Sequence, residues 1–96
     1  MRSKVRVRFT AVHLVGGNQH QHIGSLKATD SATGATYDDK RSAWVTFMET
    51  RGNSGFVHDP YGNEVEVGVR GNGIIKWVQT YADGIWSDNL LQLPKY

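Results

Sequence analysis

The sequence predicts an α+β fold: a mostly antiparallel sheet of about five strands, in the order β-β-α-β-β-β, with one helix packed on a face. Two observations predict it. Apolar and polar residues alternate in short runs separated by Gly-rich turns, and one central segment carries an apolar stripe at helical spacing. The 96 residues fit one domain spanning residues 1–96.

The first two strands flank a Gly-rich turn. Residues 4–12, "KVRVRFTAV", alternate strictly, which predicts a half-buried strand whose apolar side is Val5, Val7, Phe9 and Ala11. A turn is expected at residues 16–18, "GGN", and residues 22–30, "HIGSLKATD", predict the second strand. Residues 31–39 are expected to form a loop or a short extension of this hairpin.

The helix is predicted over residues 39–50, "DKRSAWVTFMET". Its apolar side chains fall at i, i+1, i+4 and i+5, which makes one stripe, and Trp44 within it is a core residue. Asp38 or Asp39 can cap the first turn, where free backbone N–H groups need an acceptor. Gly52 and Asn53 are typical of a helix end.

Three strands are predicted after the helix. They cover residues 54–60, residues 64–70 and residues 74–81. In the second of them Val65, Val67 and Val69 point inward. Residues 71–73, "GNG", predict a tight hairpin connection, and residues 82–84, "ADG", turn the chain into the tail "IWSDNLLQLPKY".

Composition excludes several classes of function. The chain has no cysteine, so disulfides, zinc–thiolate sites and cysteine nucleophiles are excluded. No apolar run approaches the ~20 residues that a membrane span needs, and the start lacks the apolar stretch of a secretory signal, so a cytoplasmic protein is expected. Phosphate-loop, zinc-protease, nucleophile-elbow and dinucleotide motifs are absent, so we expect neither catalysis nor a cofactor.

Two motifs carry a resemblance that runs over nearly the whole chain. A Gly-rich turn leads into His-x-His-Ile at residues 16–23, and residues 88–94 read Asp-Asn-Leu-Leu-x-Leu-Pro. In this order they resemble a family of small bacterial and phage proteins that is classed as a domain of unknown function. The resemblance implies a small accessory protein and assigns no activity. If the chain is phage-encoded, it suggests a role in blocking host defence.

The residues of these two motifs also predict the binding surface. We expect the chain to engage a protein partner or a small ligand through a surface formed by His20, His22, Trp86, Asp88 and Asn89. Trp86 is expected to be the most exposed tryptophan, and tryptophan is enriched at binding hot spots. In a strand, His20 and His22 would face the same side and could share a metal ion. The alternative is that both histidines order the turn through local hydrogen bonds.

A second surface predicts a different partner. Basic residues on the first strand, with basic and aromatic residues on a neighbouring strand, can bind single-stranded nucleic acid. The residues of this surface are Arg2, Lys4, Arg6, Arg8, Lys76 and Tyr81. Cross-strand pairing of these basic side chains with Glu64 and Glu66 would neutralise the positive charge that binds phosphates. The net charge of +2 is too small to indicate by itself that the partner is a nucleic acid. A homodimer formed through an exposed sheet edge is a further alternative.

Overall fold

One mixed sheet of seven strands dominates the computed structural model, which describes residues 4–71, 73–82 and 84–96. The strands stand in the order β3-β2-β1-β4-β5-β6-β7. The strands are β1 (Arg6–Leu14), β2 (Ile23–Asp30), β3 (Thr36–Lys40), β4 (Ser54–His58), β5 (Glu64–Gly71), β6 (Lys76–Ala82) and β7 (Ile85–Ser87). One α-helix, α1 (Arg41–Glu49), connects β3 to β4, and two 3-10 helices cover His20–His22 and Asn89–Gln92.

The expectation of about five antiparallel strands is wrong. The sheet curls into a half-barrel. It is mixed, because β4 pairs parallel to β1 over Arg6–Arg8 while the other neighbouring strands pair antiparallel. The helix provides the crossover that brings β4 back beside β1. The two additional strands are the edges, β3 and β7, which were expected to be a loop extension and part of the tail.

The alternation in β1 is interrupted by a bulge. The pairing of β1 with β2 shifts between Phe9 and Ala11, so the inward side chains are Val7, Phe9 and Val12. A bulge places two residues of one strand opposite one residue of its partner, so the side chains after it point to the opposite sides of the sheet from those expected. The expected inward position of Ala11 is therefore wrong, whereas the inward positions of Val65 and Val67 are confirmed by their burial.

The helix packs on the concave side of the sheet through Trp44, which is confirmed as a core residue. Its ring meets Phe9 edge-on, with centroids 5.0 Å apart, and its Nε1 donates a 2.9 Å hydrogen bond to the Leu26 carbonyl. The helix begins one residue after Lys40, and neither Asp38 nor Asp39 caps it as expected. Instead, Asp39 Oδ1 accepts a 2.9 Å hydrogen bond from the Lys40 N–H.

The end of the chain closes the half-barrel beside β1. Leu90 of the second 3-10 helix is completely buried in the core. Val12 then donates its N–H to the Pro94 carbonyl at 2.9 Å, and Tyr96 donates its N–H to the Val12 carbonyl at 3.2 Å. The Tyr96 hydroxyl reaches Ser25 and Asp38 on β2 and β3. Within the part of the chain that the structure describes, no helix is long and apolar enough to cross a membrane.

Candidate functional site

Strands β5, β6 and β7 carry an aromatic cluster on the convex side of the sheet. The valines of β5 face the helix, so the residues that alternate with them, Glu66, Gly68 and Arg70, face outward. Cross-strand pairing places Gly68 beside Gln79 and Arg70 beside Trp77. We call the outward set Arg70, Trp77, Tyr81 and Trp86 the aromatic face.

Trp86 sits on Gly68, where the sheet has no side chain to obstruct it. A Cβ built on Gly68 would lie 3.2 Å from Trp86 Cη2, so the indole is in close contact with the backbone there. The Tyr81 ring lies 4.9 Å from the Trp86 ring, and the Arg70 guanidinium stands 5.3 Å from its centroid. Trp86 is therefore half-buried, and it is held from three sides.

A buried glutamine fixes the other half of the cluster. Gln79 is 6% exposed, and its Oε1 accepts a 3.2 Å hydrogen bond from Trp77 Nε1. Arg70 Nη1 lies 3.4 Å from the same oxygen, and Gln79 Nε2 donates to the Ser87 carbonyl at 3.3 Å. The side chains of the aromatic face are thus oriented before any partner arrives, which lowers the entropic cost of binding.

The basic residues predicted to bind nucleic acid pair with carboxylates in separate parts of the structure. Arg6 donates to Glu64 at 2.9 Å and to Glu66 at 2.9 and 2.5 Å, which holds the pKa of Glu66 below its usual range. Lys76 pairs with Glu49 of the helix at 2.7 Å. Two strands, β4 and β5, separate β1 from β6, so Arg6 and Tyr81 are not neighbours.

The remaining residues of the predicted nucleic-acid surface do not join Arg6 and Lys76 into one continuous basic surface. Arg8 is exposed on the same side as Arg6, and Lys4 is exposed just before β1. Tyr81 belongs to the aromatic face and is 44% exposed. Arg2 lies outside the described residues.

His20 and His22 do not lie in a strand, so the spacing argument for a shared metal ion does not apply. They occupy a 3-10 helix, in which positions two apart point in different directions. His20 is 6% exposed, and its Nε2 has no hydrogen-bond partner among the described residues. The His22 ring packs against Gly17, and its Nδ1 accepts the Gln19 N–H at 3.1 Å.

Charge and burial act together on His20. Burial lowers the pKa of His20, the carboxylate of Asp88 partly opposes this, and the Arg70 guanidinium adds to the lowering. The ring is therefore held neutral, and neutral imidazole nitrogens are also the form that binds metals. Among residues 4–71, 73–82 and 84–96, however, no three His, Cys, Asp or Glu side chains are grouped for a metal ion.

The five residues predicted to form one binding surface are only partly brought together. Asp88 and Arg70 both act electrostatically on His20, and Arg70 also contacts the Trp86 ring. His22 lines an open groove of about 410 Å³ near the start of the helix. Asn89 lines a different groove of about 230 Å³, next to the turn between β4 and β5.

Gly68 and Arg70 are two residues of the site that the sequence pattern does not mark as binding residues. Arg70 pairs with Trp77 because Gly71 and Lys76 are the last pair before the hairpin connection. The turn expected at residues 71–73 would have placed Arg70 opposite Ile74, so the sequence carries no signal that pairs Arg70 with Trp77. The contact of Gly68 with Trp86 depends on β7, which the sequence did not predict as a strand.

Comparison with known proteins identifies the family. No curated protein and no solved structure matches the chain significantly. A family model described as "Protein of unknown function (DUF3892)" matches residues 8–94, which is nearly the whole chain. The chain therefore belongs to the DUF3892 family.

Proposed function

We propose that this chain is a non-catalytic binding module that holds a protein partner on its aromatic face. The observation that carries the proposal is the seating of Trp86 on Gly68, between Tyr81 and Arg70. Tryptophan, tyrosine and arginine are the residues most enriched at protein-binding hot spots. Here all three types are in contact on one side of a sheet.

The rigidity of the cluster supports binding as its purpose. Gln79 is almost completely buried, and its side-chain oxygen accepts hydrogen bonds from Trp77 and Arg70. A buried amide with satisfied hydrogen bonds holds its neighbours in one arrangement. Aromatic side chains that are already fixed lose little conformational freedom when a partner covers them.

The charges near the cluster favour a protein over a nucleic acid. The carboxylates of Glu64 and Glu66 are about half exposed, with side-chain exposures of 53% and 55%, and they neutralise Arg6. Glu66 is also the cross-strand neighbour of Tyr81, on the same side of the sheet. Phosphates would meet these carboxylates beside the aromatic rings, whereas a protein surface of mixed charge can match them.

Site-specific photo-crosslinking tests the proposal. A benzophenone amino acid replaces Tyr81, which is 44% exposed on the aromatic face beside Trp86, and the matched control replaces Tyr61, which is 89% exposed in the β4–β5 turn. In cells that naturally express the chain, we expect a discrete protein adduct from position 81 and none from position 61. Trp86→Ala should abolish that adduct without unfolding the chain.

Three other results would contradict the proposal. Equal adducts at both positions would mean that contact is indiscriminate, and an adduct that nuclease removes would identify a nucleic acid. A protein adduct that survives Trp86→Ala would place the interface elsewhere. Once a partner is identified, we expect Trp86→Ala to weaken binding by about 2 kcal/mol or more, and Tyr61→Ala to leave it unchanged.

A further inference from the structure

A cavity of about 310 Å³ opens on the opposite side of the sheet, between β3, the helix and the start of β1. Its walls include Val5 and Val7 from the β1 side, Trp44 and Phe47 from the helix, and Tyr37 from β3. Trp44 and Phe47 meet edge-on with centroids 5.4 Å apart. This volume is at the lower end of the range of roughly 300–1,000 Å³ that is typical of small-molecule sites.

Two polar side chains of the cavity wall, Trp44 and Asn53, already have hydrogen-bond partners. Trp44 Nε1 donates to the Leu26 carbonyl, so the indole has no free donor to offer to a ligand. Asn53 accepts the Val5 N–H at 3.2 Å and donates to the Phe47 carbonyl at 3.2 Å. The interior is therefore apolar and aromatic, and it would exclude a ligand that has to bury a charge deeply.

One carboxylate stands at the rim of this cavity. Asp39 is exposed, it lies on the same side of β3 as Tyr37, and among the described residues that line the cavity it is the only charged one. One of its oxygens accepts the Lys40 N–H. No ion pair involves Asp39 among the described residues, so its negative charge is not neutralised by a neighbouring side chain there.

We propose that this cavity binds a small molecule in which a compact apolar or aromatic group carries a primary ammonium. The apolar group would fill the space against Trp44 and Phe47. The ammonium would remain at the rim, where it meets the Asp39 carboxylate and the half-exposed Tyr37 ring. A cation near an aromatic face and a carboxylate is stabilised by both.

The proposal does not depend on the proposed function, because the aromatic face lies on the other side of the sheet. The sheet separates the two sites, and the buried valines of β5 face the helix on the side away from the aromatic face. Failure of one site therefore leaves the other untouched, and each experiment has its own outcome.

An NMR titration with three matched probes tests the cavity. Benzylamine, benzyl alcohol and benzoate share one ring and differ in charge. We expect benzylamine to shift the Trp44 indole and Tyr37 signals in a saturable way, with a Kd on the order of millimolar for so small a ligand. Benzyl alcohol should bind roughly two- to fivefold more weakly, and benzoate more weakly still.

Two variants make the test decisive. Asp39→Asn keeps the shape of the rim and should make benzylamine bind no better than benzyl alcohol. Ala43→Phe fills the cavity from the helix, and it should abolish the shifts from every probe. The aromatic-face variant Trp86→Ala is the control and should bind benzylamine as the parent chain does.

The proposal fails if none of the probes shifts the Trp44 and Tyr37 signals, since the cavity would then accept no ligand of this class. It also fails if benzoate binds as well as benzylamine, or if Asp39→Asn retains the preference for the amine, because charge at the rim would then have no role.

Discussion

His20 makes the stability of the folded chain depend on pH near neutrality. The side chain is 6% exposed, and its Nε2 lacks a hydrogen-bond partner among the described residues. Burial lowers the pKa of His20, Asp88 partly restores it, and Arg70 lowers it further. The folded state therefore accepts a proton less readily than the unfolded state does.

The sign and size of the effect follow from this difference. In the unfolded chain the imidazole has its ordinary pKa of about 6.5. As the pH falls below that value, the unfolded state binds a proton and the folded state does not, so the free energy of unfolding decreases. The loss from one such group is at most about 1.4 kcal/mol per pH unit, and it stops below the pKa of the folded state.

Replacement by phenylalanine isolates this contribution. His20→Phe fills a similar space, cannot be protonated and leaves no buried nitrogen without a partner. Urea unfolding of both proteins, followed by tryptophan fluorescence between pH 8 and 5, gives the free energy of unfolding at each pH. We expect the parent chain to lose more stability than the variant below about pH 6.5, by up to about 1.4 kcal/mol per unit.

Asp88→Asn is the matched control for the same measurement. Asp88 favours protonated His20, so removing its carboxylate should lower the pKa of the folded state further. The free energy of unfolding of Asp88→Asn should therefore fall more than that of the parent chain as the pH drops from 8 to 5. If the curves of the parent chain and His20→Phe run parallel from pH 8 to 5, the burial of His20 has no effect on its protonation, contrary to this prediction.

Two further changes test the sheet itself. Arg6→Gln should cost about 1 kcal/mol at neutral pH, because it breaks a partly exposed pair and leaves the two glutamates at the start of β5 unneutralised. The Arg6 interaction lowers the pKa of Glu66 in the folded state, so this cost should shrink in urea unfolding as the pH falls through the carboxyl range; a constant cost would contradict the ion pair. Gly55→Ala should cost about 1–3 kcal/mol in the same assay, since its Cβ would lie 2.5 Å from the ring of the buried Phe9; an unchanged unfolding midpoint would show that the core yields there.

The sequence predicts the strands whose apolar residues alternate and misses those that lack the pattern. Residues 64–70 alternate cleanly, and they form β5 with the expected side buried. All five residues of β3 are exposed, and β7 has only three residues, so hydrophobic periodicity could not detect either edge strand. These two strands exist because a neighbouring strand supplies hydrogen-bond partners, which is information that the local sequence does not carry.

Long-range pairing explains the other errors in the fold. The parallel contact of β1 with β4 joins residues separated by the first hairpin, β3 and the helix, and no local signal distinguishes it from an antiparallel neighbour. The bulge after Phe9 is equally invisible in a run that alternates through Ala11. Only the burial of Val12 shows that the facing reverses.

The candidate site was predicted in its residue types more than in its geometry. The frequency of tryptophan at interfaces predicts a role for Trp86, and the structure places this residue in contact with Tyr81 and Arg70. The expected convergence with His22 and Asn89 does not occur, because they lie along separate grooves. A 3-10 helix at His20–His22 replaces the strand that would have aligned the two histidines.

The division of the molecule into two faces makes both proposals separable. Trp86 and its neighbours lie on the convex side of the sheet, whereas Asp39 and the cavity lie on the side that the helix covers. Substitutions that share no partner usually have additive effects. If Trp86→Ala and Asp39→Asn were found to alter each other's binding, the two faces would have to be coupled through the core between them. His20 would be the first residue to examine, since it is buried and responds to Arg70 of the aromatic face.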